Sequence, residues 1–258
     1  MFDRHAYLAR IGYEGAIAPS IEILRALHRA HALTVPFENL DIHLGRSISL
    51  EPSDLFRKIV LSRRGGYCFE LNGLFALLLE DLGFSVTRLA ARVLYGAGGV
   101  RPRSHQLLIV QLGAGSWIAD VGFGGNGLLE PFPLTIGHEQ QQGTDRFRLI
   151  SDERGEYLLQ CDIAGAWADL YSFMLEPCLP ADYTFANYYH SHSPDSLFAQ
   201  RRICTMPTLQ GRKTFTDGML KIRENGTTEE VHVKDEGVYD QLLRQHFGLI
   251  IEDNFKFR

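Results

Sequence analysis

A cysteine, a histidine and an aspartate stand out in this sequence because of the residues around them. Cys68 follows Arg63-Arg64-Gly65-Gly66-Tyr67 and opens an apolar run, FELNGLFALLLEDLGF. The thiol therefore sits at a predicted helix N-terminus, where unpaired N–H groups and the macrodipole favour an anion. Such a position lowers a thiol pKa, and the thiolate is the reactive form. Gly65 and Gly66 allow a sharp turn and an open approach to the sulfur. Arg63 and Arg64 add positive charge, or simply form a solvated face. Two readings stand for Cys68: a nucleophile, or the inert core thiol that cysteines commonly are. Cys161, Cys178 and Cys204 lack this context and are read as core thiols.

A cysteine nucleophile needs a histidine to hold or take its proton, and that histidine needs an orienting carboxylate or amide. Of the ten histidines, His28 and His31 fall in a helical pattern, and His190 and His192 in a loop-like stretch. His105 opens the strand pattern HQLLIVQL, and after a short turn WIADVGF carries Asp120. A carboxylate in so apolar a run is costly to bury without a partner. An edge-strand aspartate facing water is the other reading. Register connects the pair. A two-residue II′ turn at Gly113-Ala114 pairs Leu112 with Gly115 and sets His105 opposite Gly122. Asp120 is then its diagonal neighbour on the same face, roughly 7–8 Å away between Cβ atoms. A turn centred on Ala114-Gly115 would put the two out of line. GFGGNG, residues 122–127, spells G-x-G-x-x-G, but a dinucleotide site needs a helix to follow. Pro131 and Pro133 in the next segment exclude that helix.

The elements that must position these residues show in the hydrophobic period. SIEILRALHRAHALT carries a helical stripe at Ile21, Ile23, Leu24, Leu27 and Ala30 behind Pro19-Ser20. EPSDLFRKIVLSRRGG offers Ser53 as cap, Leu55, Phe56, Ile59 and Val60 as inner face, and Gly65-Gly66 as stop. The segment after Cys68 repeats the stripe to Gly83. From about Ser85 the period becomes two: SVTRLAARVLYG, HQLLIVQL, WIADVGF, RFRLIS and EYLLQCDIA read as strands. GMLKIRENGTTEEVHV is a hairpin with a type I′ turn at Asn225-Gly226, and GVYDQLLRQHFGL is a helix. The organisation is a helical region over 1–84, an antiparallel β region over 85–190 and an α/β region over 191–258.

The chain has 258 residues, 45% of them hydrophobic and 22% charged, enough for a large core without metal or disulfide staples. A net charge of -5 gives no general pull toward nucleic acid or anionic membrane. The four cysteines have no CxxC or zinc spacing. No signal core or membrane-length apolar run is present, so free thiols in the cytoplasm are expected.

RRGGYCFELN, SHQLLIV and ADVGFGG together resemble the arylamine N-acetyltransferase family. AYLARIGY, TVPFENLDIHLG and NYYHSHSPDSLFAQRRIC match it in the same order over the first four fifths of the chain. The resemblance implies an α+β fold: an N-terminal helical bundle, a central antiparallel β-barrel and a C-terminal α/β lid, with a papain-like cysteine-protease-type catalytic core. It implies a Cys68–His105–Asp120 triad resting as a thiolate–imidazolium pair. It also implies ping-pong acetyl transfer from acetyl-CoA, a cosubstrate, to an arylamine, arylhydrazine or N-hydroxyarylamine, with no permanently bound cofactor. Phe37 and Phe123 fall in the implied acceptor pocket, with Ser104 and Gly124 beside the acyl path; on residue type alone, Phe37 is equally a core residue. Arg101 and Arg103 either meet CoA phosphates or lie in a solvated loop. Competing readings are an amide synthase closing a macrolactam from a carrier-bound acyl chain, a papain-like protease or transglutaminase, and a binding module without activity.

Overall fold

The architecture follows the switch from helical to strand period. The computed structural model describes residues 2–251. In α1 (Arg4–Ile11) and α2 (Ile21–Thr34), the side chains of Asp3 and Ser20 accept from first-turn N–H groups. α2 buries Leu24 and Leu27 as its stripe requires, and with them His28 and His31. β1 (Phe37–Glu38), α3 (Leu40–His43) and α4 (Pro52–Phe56) follow. Pro52 opens α4 instead of Ser53, because a proline in the first turn loses no hydrogen bond there. A π-helical turn, Arg57–Leu61, then ends the segment ahead of the glycines. Leu55, Phe56, Ile59 and Val60 are buried as expected. They pack against α5 (Cys68–Asp81), whose Leu71, Leu74, Phe75, Leu78 and Leu79 fill the first core. Each such side chain stabilises the fold by roughly 1.5–3 kcal/mol.

The next strands are β2 (Ser85–Val93), β3 (Arg103–Leu112), β4 (Gly115–Ala119), β5 (Phe132–Pro133), β6 (Glu139–Gln142), β7 (Asp145–Ser151), β8 (Tyr157–Ile163) and β9 (Ala166–Pro177). They form one antiparallel sheet in the order β5-β4-β3-β2-β9-β8-β7-β6. It curls nearly shut around Leu89, Leu107, Phe132, Phe147, Leu159 and Phe173. The short 134–138 connection bridges its two edges: Leu134 N–H donates to Ser116 O, and Gly137 N–H to Leu149 O. The β3–β4 hairpin has the expected register, Leu112 opposite Gly115 and Leu108 opposite Ala119. Gly113 is left-handed at φ 56° and Ala114 is not, the pattern of a II′ turn.

α6 (Thr184–His192) is a helix where a loop was expected. After α7 (Leu197–Gln200) come β10 (Ile203–Thr208), β11 (Gly211–Thr216), β12 (Met219–Glu224), β13 (Thr227–His232) and α8 (Glu236–Phe247). Asn225 and Gly226 are both left-handed, as the I′ turn requires. β1 joins β10 to complete a five-stranded sheet, and α8 seals a third core of Phe215, Leu220, Tyr239, Leu243 and Phe247. The expected α+β fold is therefore the one observed. We propose 1–84, 85–190 and 191–258 as folding units joined at two places: β1 completes the C-terminal sheet, and α6 runs through residue 190. No helix among the described residues is long and apolar enough to cross a membrane.

Candidate active site

Cys68 occupies the first position of α5, behind Tyr67 as N-cap, so its N–H is among the donors without an intrahelical acceptor. Glu70 Oε2 accepts the Tyr67 N–H at 3.0 Å and fixes that turn. The glycines before it work by size. Arg63, at φ 50°, makes the left-handed turn, whereas Gly66 bridges to Phe37 and accepts the Glu38 N–H at 2.9 Å. A Cβ on Gly66 would stand 2.8 Å from the Glu70 side chain. Arg64 is not a solvated charge: it is buried against Glu38 (2.8 Å) and Asp41 (3.1 Å). Lys58 links Asp41 (2.8 Å) to Glu70 (2.7 Å). A network of ion pairs thus backs the turn that presents the cysteine.

His105 Nε2 donates to Asp120 Oδ2 at 2.7 Å, and both residues are buried. The Cys68 side chain lies within hydrogen-bonding reach of the same ring. Asp120 is not inside β4, which stops at Ala119; its N–H goes to His28 Nε2 at 3.1 Å. His28 Nδ1 then donates to Leu129 O at 3.0 Å, and burial holds this imidazole neutral with a pKa of about 4. Asn72, one turn beyond Cys68, donates to Asp120 Oδ1 (2.9 Å) and Gln106 O (2.6 Å) and accepts from Val121 N–H (3.0 Å). Asp120 Oδ1 also takes the Gly122 N–H at 3.0 Å. The sequence reading passed over His28 and Asn72. The signals were a polar residue four after the cysteine on one helix face, and a histidine within an apolar stripe.

Gly122 is where the aspartate's loop meets the cysteine's helix. A Cβ there would lie 2.8 Å from Asn72 Nδ2 and 2.9 Å from Cys68 Cα. Gly122→Ala should therefore displace Cys68 and slow its alkylation by iodoacetamide about a hundredfold, the scale of a 1 Å misplacement. An unchanged rate would show that the loop yields freely.

Cys68 and His105 open on a cavity of about 480 Å³, with Asp120 buried behind the histidine. Phe37, Ser104, Phe123 and Arg101 line it. Phe123 packs edge-on to His105 (5.2 Å between ring centres) and Phe37 against Phe198 (5.7 Å). Gly124 lies behind the Phe37 ring, where a Cβ would stand 3.0 Å from the ring. Arg103 is held by Glu176 (3.1 Å) and Glu156 (3.7 Å). Ser104 is the extra residue of a bulge: Ala91 pairs with His105 but Arg92 with Arg103. The Ser104 carbonyl faces Cys68 Sγ at 3.9 Å and His190 Nε2 at 2.9 Å. The other cysteines are free; Cys161 and Cys204 are buried and Cys178 half-buried, so Cys178 is less a core thiol than expected.

Burial disfavours an imidazolium at His105, but the Asp120 carboxylate, its hydrogen bond and Cys68 outweigh it and raise the pKa to about 10. Burial also disfavours the Asp120 carboxylate; His105, Asn72 and the Gly122 N–H outweigh it and keep the pKa below the ordinary value. The His105 pKa is raised from 6.5, so its contribution to stability is full below that pH while Asp120 stays ionised, and is lost as pH rises through about 10. NMR titration of His105 should show its midpoint near pH 10; a midpoint near 6.5 would contradict the pairing. The site offers a thiol, a ring that can hold or return a proton, and a carboxylate fixing that ring, the requirements of acyl transfer through a thioester.

The chain matches the N-acetyltransferase family over residues 20–256. It is 38% identical over 252 residues to the arylamine N-acetyltransferase / N-hydroxyarylamine O-acetyltransferase of Salmonella typhimurium, covering 96% of this chain and 89% of that protein. The arylamine N-acetyltransferase of Escherichia coli is likewise 38% identical, over 250 residues, with the same coverage. Among solved structures, the Salmonella typhimurium arylamine N-acetyltransferase superposes with a TM-score of 0.91 over 97% of this chain and 92% of that one, at 38% identity. That of Mycobacterium marinum arylamine N-acetyltransferase in complex with CoA superposes at 0.90 over 96% and 93%, at 33% identity.

Proposed function

Because the chain belongs to the arylamine N-acetyltransferase family and is an acyltransferase, we propose that Cys68, His105 and Asp120 carry acetyl from acetyl-CoA to an aromatic amine in two steps. The acceptor is an arylamine, arylhydrazine or N-hydroxyarylamine. In the first step Cys68 Sγ attacks the thioester carbonyl and CoA leaves as its thiol, taking the proton from His105. In the second, the amine attacks acetyl-Cys68, its proton passes to His105 and the thiolate is restored. Asp120 holds the ring in one tautomer throughout, because only Nε2–H can donate to its carboxylate. The Cys68 N–H, which has no intrahelical acceptor, receives the developing oxyanion in this scheme.

The observation that carries this reading is the 2.7 Å His105–Asp120 contact beside a cysteine at a helix start, with Cys68 and His105 facing one cavity. Phe37 and Phe123 supply an apolar slot for the aromatic ring, with Ser104 beside the acyl group. Gly124 supports that slot by letting Phe37 pack close. The CoA held by the Mycobacterium marinum relative supports acetyl-CoA as donor cosubstrate. Initial rates measured against both substrates should give parallel double-reciprocal lines; intersecting lines would replace the two-step scheme with a ternary complex. Turnover of free acetyl-CoA also separates this reading from a macrolactam-forming amide synthase using a carrier-bound acyl chain.

A further inference from the structure

His190 lies in the cavity wall, and the two-step reaction gives it no task. It comes from the last turn of α6, among Tyr67 (6.1 Å), Phe69 (5.9 Å) and Phe198 (4.9 Å between ring centres). Its Nε2 is 2.9 Å from the Ser104 carbonyl oxygen, and Cys68 Sγ is 3.9 Å from the same atom. One carbonyl oxygen separates this histidine from the sulfur. A carbonyl only accepts, so Nε2 carries the hydrogen, and in the neutral ring Nδ1 is the bare acceptor. Burial pushes the ring below its ordinary pKa; the Ser104 carbonyl offsets part of this, and the charge on His105 adds to it. The neutral form therefore prevails near pH 7. Nδ1 has no hydrogen-bond partner among the described residues.

The attacking nitrogen of a primary amine brings two N–H groups, and His105 can take only one. We infer that His190 Nδ1 receives the other, forming an acceptor subsite that favours primary arylamines and arylhydrazines over N-alkylated ones. This rests on the transfer reading above. In the step concerned, the nitrogen lone pair forms the C–N bond and the C–S bond of acetyl-Cys68 breaks. The sulfur leaves as thiolate, and one amine proton passes to His105. His190 keeps its own proton on Nε2 and aims the nitrogen by a hydrogen bond, an interaction that a secondary amine with one N–H cannot make while also serving His105.

The test loads Cys68 with acetyl-CoA and follows its discharge by aniline and by N-methylaniline in wild type, His190→Leu and His190→Gln. In His190→Leu the ratio of aniline discharge to loading should fall about tenfold, one good hydrogen bond's worth. His190→Gln, whose amide oxygen accepts, should recover part of it, and N-methylaniline discharge should change much less. Equal losses for both amines, no loss for either, or a parallel fall of loading and discharge in both variants would each overturn the assignment to His190. Failure of the wild-type chain to load at all would overturn the transfer reading, and the His190 subsite with it.

Discussion

Asp120→Asn should reduce acetyl transfer about 10,000-fold in kcat while leaving the protein folded, because it imposes the wrong histidine tautomer. Asp120 Oδ1 accepts from Asn72 Nδ2 and the Gly122 N–H, and Oδ2 accepts from His105 Nε2. In the variant the amide oxygen must take the Oδ1 place, since both groups there are donors. The amide NH₂ then faces His105 Nε2, which must become an acceptor and carry its hydrogen on Nδ1 instead. The carboxylate charge, the largest of the influences that overcome burial at His105, is also gone, so the ring's pKa should drop from about 10. A kcat within tenfold of wild type, with unchanged circular dichroism, would remove Asp120 from the mechanism.

Arg64→Leu should cost about 3–5 kcal/mol of stability, the penalty for breaking a buried ion pair from one side. Glu38 is fully buried, and its Oε1 accepts from both Nε (3.0 Å) and an Nη (2.8 Å) of Arg64. Its Oε2 takes the Leu40 N–H at 2.7 Å, which Arg64 does not replace. Removing the guanidinium leaves the Glu38 carboxylate without its ion-pair partner at the junction of the helical region and β1, while Asp41 keeps Lys58. The melting temperature should fall by roughly 10 °C, on the scale of 2–4 °C per kcal/mol for a chain of this size. The double variant Arg64→Leu/Glu38→Leu should recover much of the loss, because it removes the buried carboxylate that the single variant leaves unpaired. A single variant as stable as wild type would show that water reaches this network.

Much of the site was legible because periodicity and turn chemistry fix it. The II′ turn at Gly113 sets the β3–β4 register as far as Leu108 opposite Ala119, which brings Asp120 to the His105 end of the hairpin, and the stripe from Leu71 to Leu79 places Cys68 at a helix start. The rest depends on partners distant in the chain. Asp120 leaves its strand because its N–H finds His28, 92 residues away. The bulge at Ser104 has no composition signature, yet it turns a carbonyl toward both Cys68 and His190. α6 has no fully buried residue, so NYYHSH shows no apolar stripe and reads as a loop. Gly65-Gly66 announced a backbone constraint, but glycine alone does not say whether it is an angle or a lack of room; here it is room.

The central claim is that Cys68 itself carries the acetyl group. Mass spectrometry of the protein mixed with acetyl-CoA and no acceptor tests it directly, with Cys68→Ala alongside. The account predicts one acetyl group on the Cys68 peptide, absent from the variant and lost when an arylamine is added. An unmodified Cys68 in a protein that still acetylates arylamines would contradict it.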